Sequence, residues 1–404
     1  MSKADESVLA YYQNHQFNPV LIRVEDPAVW ESHFAKRRNL YERHLGLPLP
    51  LLRGARVLEF GPNSGENCLV PALFGSRLTL VEPNDQVLPR LRQLFDQFGL
   101  AGQIDAVHCQ TMDAFTSEQT FDLVIAEGFL YTLANRDVLL RKMIRLIGPG
   151  KYGVISINDQ YGGLIELLRR AILFRACLLS GIKDVQSEPS LRLARQLYAD
   201  DFARLNSSRT FGAWWKDTLV NPFYVTEYLW SFPAVLAILR DEGCDFYSSS
   251  PVWATSEHYK WYKNLTPPAD RYDSVLRDWR ASLAYFITGI RPARGREEPA
   301  EAEVVDALAA VTAGLSDASR MPESAAQPPL YPLELNQYLA RHADPMVQAV
   351  NGELKDVFRA LHEPRADALC AAYARAGTLR SLWGTAYHYI CFQRTYAQFA
   401  RAAG

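Results

Sequence analysis

Two glycines and one acid in the first half of the chain have the types and spacing needed to hold a nucleoside. Gly61 and Gly65 stand in the run Arg56 to Asn67, which reads Arg-Val-Leu-Glu-Phe-Gly-Pro-Asn-Ser-Gly-Glu-Asn. A glycine lacks a Cβ, so the backbone can adopt a φ above zero and a ligand can lie against it. Glu82 follows 17 residues after Gly65, close to where nucleoside-binding units place an acceptor for the ribose hydroxyls. A plain strand-to-helix corner and a surface carboxylate are the alternatives.

A strand before the loop and a helix after it must position these glycines. The strand is predicted from consecutive apolar residues and the helix from apolar residues at helical spacing. The free N–H groups of that helix would face a ligand in the loop. The residues of the two elements are Val57, Leu58 and Phe60, then Leu69, Val70, Leu73 and Phe74.

Strands and helices alternate after the loop, which predicts an α/β fold with a parallel sheet and helices on both faces. Further strands are predicted at residues 78–81, 104–109, 121–126, 152–157 and 244–247. Helices are expected at 84–99 and 138–147, and Gly148-Pro149-Gly150-Lys151 is expected to form a turn. Residues 284–290 predict a further strand, so we expect the domain to end near residue 291.

Several motifs in this order resemble the core of a class I, Rossmann-like S-adenosylmethionine-dependent methyltransferase. The resemblance covers residues 56–159, about a quarter of the chain. A dinucleotide-binding dehydrogenase would prefer Gly-x-Gly-x-x-Gly in the first loop, where this chain has Pro62 between its glycines and lacks a third glycine. The motifs are Glu59-x-Gly61-x-x-x-Gly65, Glu82 after strand two, Asp113 after strand three, Phe121-Asp122-Leu123-Val124 on strand four, and Leu146-Ile147-Gly148-Pro149-Gly150-Lys151 before strand five.

The resemblance implies a doubly wound, mostly parallel seven-stranded sheet with an antiparallel last strand, and S-adenosyl-L-methionine as the cofactor. It implies that Gly61 and Gly65 approach the methionine portion and that Glu82 accepts from the ribose hydroxyls. Asp113, beside Met112, would accept from the adenine amine. Asn63 departs from the small or acidic residues common at that place in the loop. The full set of cofactor-binding residues expected on this basis is Glu59, Gly61, Asn63, Gly65, Glu82, Pro83, Met112, Asp113, Glu127 and Gly128.

The rest of the chain predicts additions to this core. Asp26-Pro27 begins a helix in the N-terminal arm. Ala-, Glu-, Pro- and Ser-rich sequence between residues 292 and 329 is typical of a linker, with a possible helix near residues 302–315. We therefore expect a helical arm at 1–54, the methyltransferase domain at 55–291 with a helical lid insertion at 161–230, a linker at 292–329, and a helical C-terminal extension at 330–404 that packs on the core or makes a homo-oligomer contact.

The lid insertion carries arginines and one motif of interest. The arginines could meet a phosphate or carboxylate on the methyl acceptor, or lie on a solvated face. They are Arg169, Arg170, Arg175, Arg192, Arg195, Arg204 and Arg209. Asn221-Pro222-Phe223-Tyr224 invites comparison with the Asn-Pro-Pro-Tyr signature of nucleic-acid amino-methyltransferases. That signature closes strand four, however, and residues 121–128 already fill strand four.

Methyl transfer from a sulfonium is an in-line displacement, so the protein mainly has to place the acceptor and exclude water. Proximity can supply about 7–11 kcal/mol of the barrier, and a base is needed for an alcohol acceptor but not for a neutral amine. Asp159, after strand five, is the first candidate base. His258 is the second candidate, with Tyr161 as an orienting hydroxyl. The alternatives are a helix-capping Asp and a structural His.

Composition limits the classes of protein this can be. The 404 residues are 48% hydrophobic with a formal net charge of −2, which argues against a general nucleic-acid binder. The six cysteines are scattered, and no carboxylate or Cys/His set has metal-ligand spacing, so neither a disulfide framework nor a metal is expected. Residues 1–7 lack the apolar run of a signal peptide, and residues 162–182 carry four charges within the length of a membrane span. A cytoplasmic location is expected.

The sequence therefore predicts a methyltransferase that acts on an O or N atom of a small polar acceptor; the resemblance suggests a sugar or sugar-linked metabolite. An RNA or protein methyltransferase, and a module that binds the nucleoside without catalysis, are the rival interpretations. Peripheral contact with a membrane through residues 162–182 as an interfacial helix is a third.

Overall fold

A computed structural model describes residues 8–11, 13, 22–205, 210–252, 261, 263–264, 268–290 and 299–396. These residues form two compact units. The first unit comes from Met1–Ile157, Phe232–Val275 and His388–Gly404, and the second from Asn158–Ser231 and Leu276–Tyr387.

The first unit is built on a seven-stranded sheet. Its strands lie in the order β3-β2-β1-β4-β5-β7-β6. The first five strands pair in parallel, whereas β7 pairs antiparallel with β6. The strands are β1 (Arg56–Phe60), β2 (Arg77–Val81), β3 (Ile104–His108), β4 (Phe121–Ala126), β5 (Ile147–Asn158), β6 (Cys244–Ser250) and β7 (Tyr387–Arg394).

The central strands are apolar along their whole length because helices cover both faces of a parallel sheet. Val57, Leu58 and Phe60 in β1 are at most 1% exposed. The helices that cover the sheet bury their apolar residues, for example Leu91 and Leu94, which are fully buried. The helices of this unit are α1 (Pro27–Arg38), α2 (Leu69–Leu73), α3 (Leu88–Gln97), α4 (Arg136–Leu146) and α8 (Phe232–Asp241), with shorter turns at Asn39–His44, Leu49–Leu52, Asp85–Val87, Ala101–Gln103 and Leu130–Thr132.

The second unit is almost entirely helical in its described residues. Its helices are α5 (Leu164–Leu179), α6 (Glu188–Ala203), α7 (Phe211–Trp214), α10 (Leu283–Thr288), α11 (Ala302–Asp317), α12 (Leu333–Ala340), α13 (Pro345–Leu361), α14 (Ala366–Arg375) and α15 (Gly377–Arg380), with short turns at Trp215–Leu219 and Pro322–Ala326; α9 (Pro268–Ala281) has residues in both units. Within the described ranges, no helix has the length and apolarity to cross a bilayer.

The predicted fold class is confirmed, but the position of its last strand was wrong. Residues 284–290 do not form a strand: Leu283–Thr288 is a helix, which ends at Gly289 with φ 74°. A short continuous apolar run fits a buried helix as well as a buried strand, and periodicity alone does not separate them. The antiparallel strand is Tyr387–Arg394 instead, inside the segment predicted to be a helical extension.

Two other predicted segments can be located. The possible helix inside the expected linker is α11, whose Val304, Leu308, Val311 and Leu315 are at most 4% exposed, because alanines between these apolar residues favour a packed helix. The predicted turn at residues 148–151 belongs to β5, where Ile147 already pairs with Phe121 of β4 before a shift in register.

Candidate active site

The glycine loop after β1 and the acid after β2 are joined by a hydrogen bond. Asn63 donates its backbone N–H to Glu82 Oε2 at 2.9 Å, and Asn84 donates its own to Glu82 Oε1 at 2.9 Å. Glu82 is only 6% exposed, and burial raises the pKa of its carboxyl, although the two N–H groups oppose that rise. Asn63 has φ 51°, a left-handed conformation that asparagine tolerates better than most residues. The structure thus brings the loop and the acid together.

Both glycines of the loop have positive φ, 66° at Gly61 and 91° at Gly65. At Gly61 the absence of a side chain also makes room for a neighbour: a Cβ there would lie 2.7 Å from the ring of Phe129. That distance is too short for any real contact, so this position requires glycine. Sequence reasoning missed Phe129, which follows β4.

Glu127, directly after β4, forms a buried ion pair that sequence reasoning also missed. Arg37 of α1 donates from Nη1 to Glu127 Oε2 at 2.8 Å and from Nη2 to Oε1 at 2.9 Å. Both side chains are at most 7% exposed. Asn67, at the end of the loop segment, donates to Glu127 Oε2 at 3.3 Å, and the Tyr41 hydroxyl lies 3.4 Å from Oε1. The pair therefore links the N-terminal helix, the loop and β4.

Glu59 is a second buried carboxyl close to this pair. The Cys68 thiol donates to Glu59 Oε2 at 3.1 Å, and Glu59 is 3% exposed. Burial, and next the charge of Glu127, raise the pKa of Glu59 to about 7. Glu59 therefore binds a proton more readily than an exposed glutamate does.

The remaining predicted cofactor residues also come after strands of the sheet: Pro83 after β2, Met112 and Asp113 after β3, and Gly128 after β4. Met112 is buried at 4% exposure. Hydrogen bonding from Thr111 lowers the pKa of Asp113, and the Asp113 carbonyl accepts from Lys142 Nζ at 2.5 Å. Gly128 donates its N–H to Ser156 Oγ at 2.7 Å, and Pro83 directly follows Glu82. In parallel strands the carboxyl ends share one edge of the sheet, where ligands of such folds bind.

Two of the three predicted catalytic residues lie in the second unit. Asp159 is fully buried, and its Oδ1 accepts the backbone N–H groups of Tyr161 and Gly162, each at 2.9 Å. The Tyr161 ring packs 5.4 Å from that of Trp279, and burial raises the pKa of its phenol. His258 lies outside the described residues.

A neighbouring set of polar side chains was missed. Asn158 ends β5 and is 6% exposed. Tyr224 donates its hydroxyl to Glu166 Oε2 at 2.7 Å and lies 3.5 Å from Asn158 Oδ1. The sequence feature that could have indicated this set is the motif Asn-Pro-Phe-Tyr, which ends at Tyr224 and supplies the hydroxyl.

The arginines of the insertion differ in exposure: Arg192, Arg195 and Arg204 are exposed, as a solvated face would have them, whereas two arginines of α5 are not. Arg169 and Arg170 are fully buried, so they lie on no solvated face, and they donate chiefly to protein carbonyls. Arg170 bonds the carbonyls of Thr218 and Leu219 at 3.1 and 3.0 Å. Such arginines bind the protein's own backbone, so the prediction that they meet an acceptor anion is not supported at these two positions.

Some buried polar atoms of the first unit suit a polar ligand at this edge. Asn63 Oδ1, Glu66 Oε1 and Arg37 Nε are buried and have no hydrogen-bond partner among the described residues. Buried polar atoms are normally paired, so the loop, together with Arg37, fits a ligand that carries donors and acceptors, as the amino-acid end of S-adenosylmethionine does. In the described part of the chain, no three His, Cys, Asp or Glu side chains are grouped to hold a metal ion.

Comparison with known proteins gives one family match. Residues 32–216 match the family model described as a methyltransferase domain, and no curated protein matches the chain. Among solved structures, the CcbJ methyltransferase from Streptomyces caelestis is 21% identical with a TM-score of 0.26, over 28% of this chain and 47% of its own. The N-methyltransferase NodS from Bradyrhizobium japonicum WM9, in complex with S-adenosyl-L-homocysteine, is 20% identical with a TM-score of 0.30, over 37% of this chain and 74% of its own. The chain thus spans about half the length of CcbJ.

Proposed function

We propose that this chain, a class I S-adenosylmethionine-dependent methyltransferase by its matched domain and its sheet, transfers a methyl group to an O or N atom of a small polar acceptor. A sugar or sugar-linked metabolite is the acceptor class we favour. The observation that carries the proposal is the hydrogen bond between Asn63 and Glu82 at 2.9 Å. It supports the proposal because the acid after β2 then lies beside the glycine loop after β1, at the sheet edge where nucleosides bind in such folds.

In the proposed cofactor site, residues that follow different strands bind different parts of the cofactor. S-adenosylmethionine, when bound, supplies an activated methyl group. Glu82 would accept from the ribose hydroxyls, because a carboxylate has lone pairs left after taking two N–H groups. Asp113 would accept from the adenine amine. The glycine loop would approach the methionine portion, and the other proposed contacts are Glu59, Asn63, Pro83, Met112, Glu127 and Gly128.

The proposed acceptor chemistry uses residues that follow β5. Asp159 is the proposed base or positioning carboxylate, with Tyr161 as an orienting hydroxyl and His258 as a second base. The phenol of Tyr224 and the carboxylate of Glu166 offer a further route for an acceptor proton, because the two are already hydrogen-bonded at 2.7 Å. Replacing Asp159 by Asn should depress turnover more than cofactor affinity, measured by calorimetry beside initial rates. Unchanged turnover would reject Asp159 as the base.

The cofactor assignment is tested by titrating the protein with S-adenosylmethionine and S-adenosylhomocysteine in a calorimeter. Glu82→Ala should weaken both by roughly 10- to 100-fold, because a hydrogen bond to a charged group contributes about 1.5–3 kcal/mol. Asp96→Ala is the matched control, since Asp96 is an exposed carboxylate on α3 of the same unit. Equal affinities in the wild type and Glu82→Ala would remove Glu82 from the site, and a wild type that binds neither ligand would refute the proposed function.

The acceptor class is tested with methyl-labelled cofactor and a panel of sugars, aminosugars and their phosphates. Label in a small molecule supports the proposal. Label only in RNA or protein, with salt-dependent binding, would favour the rival enzyme, and cofactor binding without any transfer would favour a non-catalytic module. A cytoplasmic location, membrane contact through residues 162–182 and an oligomer through the C-terminal helices stay predictions.

A further inference from the structure

The side chain of Phe129 lies against the backbone of the glycine loop. A Cβ added at Gly61 would lie 2.7 Å from Cδ1 and 2.8 Å from Cε1 of the Phe129 ring, so the ring is in direct contact with the loop. Phe129 is half-buried. Its backbone is held by Thr132, whose N–H and hydroxyl both donate to the Phe129 carbonyl, at 2.8 and 2.6 Å. An aromatic ring therefore has a defined place beside the loop.

The ring contacts the part of the loop that is nearest the proposed ribose site. Gly61 donates its N–H to the carbonyl of Val81 at 2.9 Å, and the next residue is Glu82, which accepts from the Asn63 N–H. In S-adenosylmethionine the sulfur is joined to the ribose through a single methylene group. A ribose bound by Glu82, with the methionine portion along the loop, would therefore bring the sulfur close to Gly61 and to the ring of Phe129.

Within the described residues, no basic side chain and no other ring packs on the ring of Phe129. Other rings of the same unit do have a cation nearby. The guanidinium carbon of Arg37 lies 5.1 Å from the centre of the Tyr41 ring, and that of Arg38 lies 6.0 Å from the centre of the Phe34 ring. Because the face of an aromatic ring is electron-rich, it attracts a cation, including a cationic ligand. Phe129 therefore offers this attraction to a ligand and not to the protein.

We infer that the ring of Phe129 recognises the positive charge of the sulfonium and thereby distinguishes S-adenosylmethionine from S-adenosylhomocysteine. This inference rests on the proposed function. Loss of the methyl group turns the sulfonium into a neutral thioether, so the attraction to the ring is present before methyl transfer and absent after it. The spent cofactor then binds less tightly than the fresh one, which favours its release. The competing interpretation is that the ring only fills the space beside Gly61.

Two ligands and a small set of variants separate these interpretations. S-adenosylmethionine and S-adenosylhomocysteine differ by one methyl group and one positive charge. Phe129→Leu and Phe129→Met each keep an apolar side chain but remove the ring, whereas Phe129→Tyr keeps the ring. Phe98→Leu is the matched control. Phe98 is also half-buried in the same unit, but it follows α3, and the centre of its ring lies 4.9 Å from that of Trp30.

Calorimetry with both ligands should show a loss of affinity for only one of them. In Phe129→Leu and Phe129→Met the affinity for S-adenosylmethionine should fall by about 5- to 30-fold, while that for S-adenosylhomocysteine should stay within about threefold. Phe129→Tyr and Phe98→Leu should keep the wild-type ratio of the two affinities. An equal or larger loss for S-adenosylhomocysteine, or no loss for either ligand, would overturn the inference and leave the proposed function standing. A wild type that binds neither ligand would overturn both.

Discussion

Each of the two units buries arginine, and the partners differ. In the first unit Arg37 is bonded to one carboxylate and has an unused Nε. In the second unit Arg170 is bonded to the carbonyls of Ser319, Thr218 and Leu219, and its guanidinium lies 4.9 Å from the ring of Phe174. A ligand can replace a single carboxylate partner, but it cannot replace carbonyls from separate segments without unfolding them.

Arg169 shows the same structural use as Arg170. It donates from Nε to the Tyr373 hydroxyl at 2.9 Å and from Nη2 to the Leu382 carbonyl at 2.8 Å. The ring of Trp383 lies 4.0 Å from its guanidinium carbon. Tyr373 in turn donates to the fully buried Asp201. Burial of an arginine therefore does not identify a binding site unless the nature of its partners is known.

Replacing Arg170 tests the structural role of the buried arginines of the second unit most directly. Arg170→Met should lower the free energy of unfolding by about 5 kcal/mol, since it leaves several buried carbonyls without their donor. Urea unfolding followed by circular dichroism measures this. Arg170→Lys should recover little of the loss, because an ammonium cannot reach the same set of acceptors. A loss below about 1 kcal/mol would show that water satisfies these carbonyls and that Arg170 is not a structural arginine.

The ion pair of the first unit should respond differently. Arg37→Met alone should cost about 4 kcal/mol of unfolding free energy, because Glu127 is left buried and unpaired, whereas adding Glu127→Gln should recover much of that loss. The same urea measurement on both single variants and the double variant completes the cycle. If the double variant is less stable than Arg37→Met, the two residues are not coupled as the structure shows.

The buried carboxyl near the pair predicts a pH effect. Burial and the charge of Glu127 raise the pKa of Glu59 from its ordinary 4.5 to about 7. Between these values the folded protein holds a proton that the unfolded chain has lost, so the stability contribution of Glu59 is greatest below pH 4.5 and falls as the pH rises to about 7. Glu59→Gln removes this dependence.

The stability of the wild type relative to Glu59→Gln should therefore fall by about 3 kcal/mol between pH 4.5 and 7.5. Urea unfolding of both proteins at several pH values gives this difference, and groups common to the two cancel. A difference that does not change with pH would place Glu59 in a more polar environment than the structure shows.

The sequence predicted what depends on local pattern. β1, the glycine loop and Glu82 lie within 27 residues, and consecutive apolar residues followed by glycines identify them. The pairing of Arg37 with Glu127 spans 90 residues, so no local pattern could show it. The same holds for Phe129 against Gly61, where the glycine was recognised but the ring that requires it was not.

The error in the last strand has a similar cause. Residues 284–290 and 387–394 are both rich in aromatic and β-branched residues, and only tertiary packing decides which one joins the sheet. In the structure Phe286 and Ile287 are both buried, and so are the adjacent Ile390, Cys391 and Phe392 of β7, so burial alone does not separate the helix from the strand. Tyr387–Arg394 instead pairs with β6.

The smallest effect is expected at an exposed arginine of the same insertion, which tests whether burial is what separates the arginines. Arg192 lies on α6, is 64% exposed in its side chain and reaches Glu188 at 4.0 Å. Exposed pairs of this kind contribute less than about 1 kcal/mol, so Arg192→Ala should change the free energy of unfolding by less than about 0.5 kcal/mol. Urea unfolding of Arg192→Ala and Arg170→Met then gives the smallest and the largest expected losses of stability within the second unit. A large loss for Arg192→Ala, with no change in oligomeric state by sedimentation, would mean that exposure does not predict how much each arginine contributes to the free energy of unfolding.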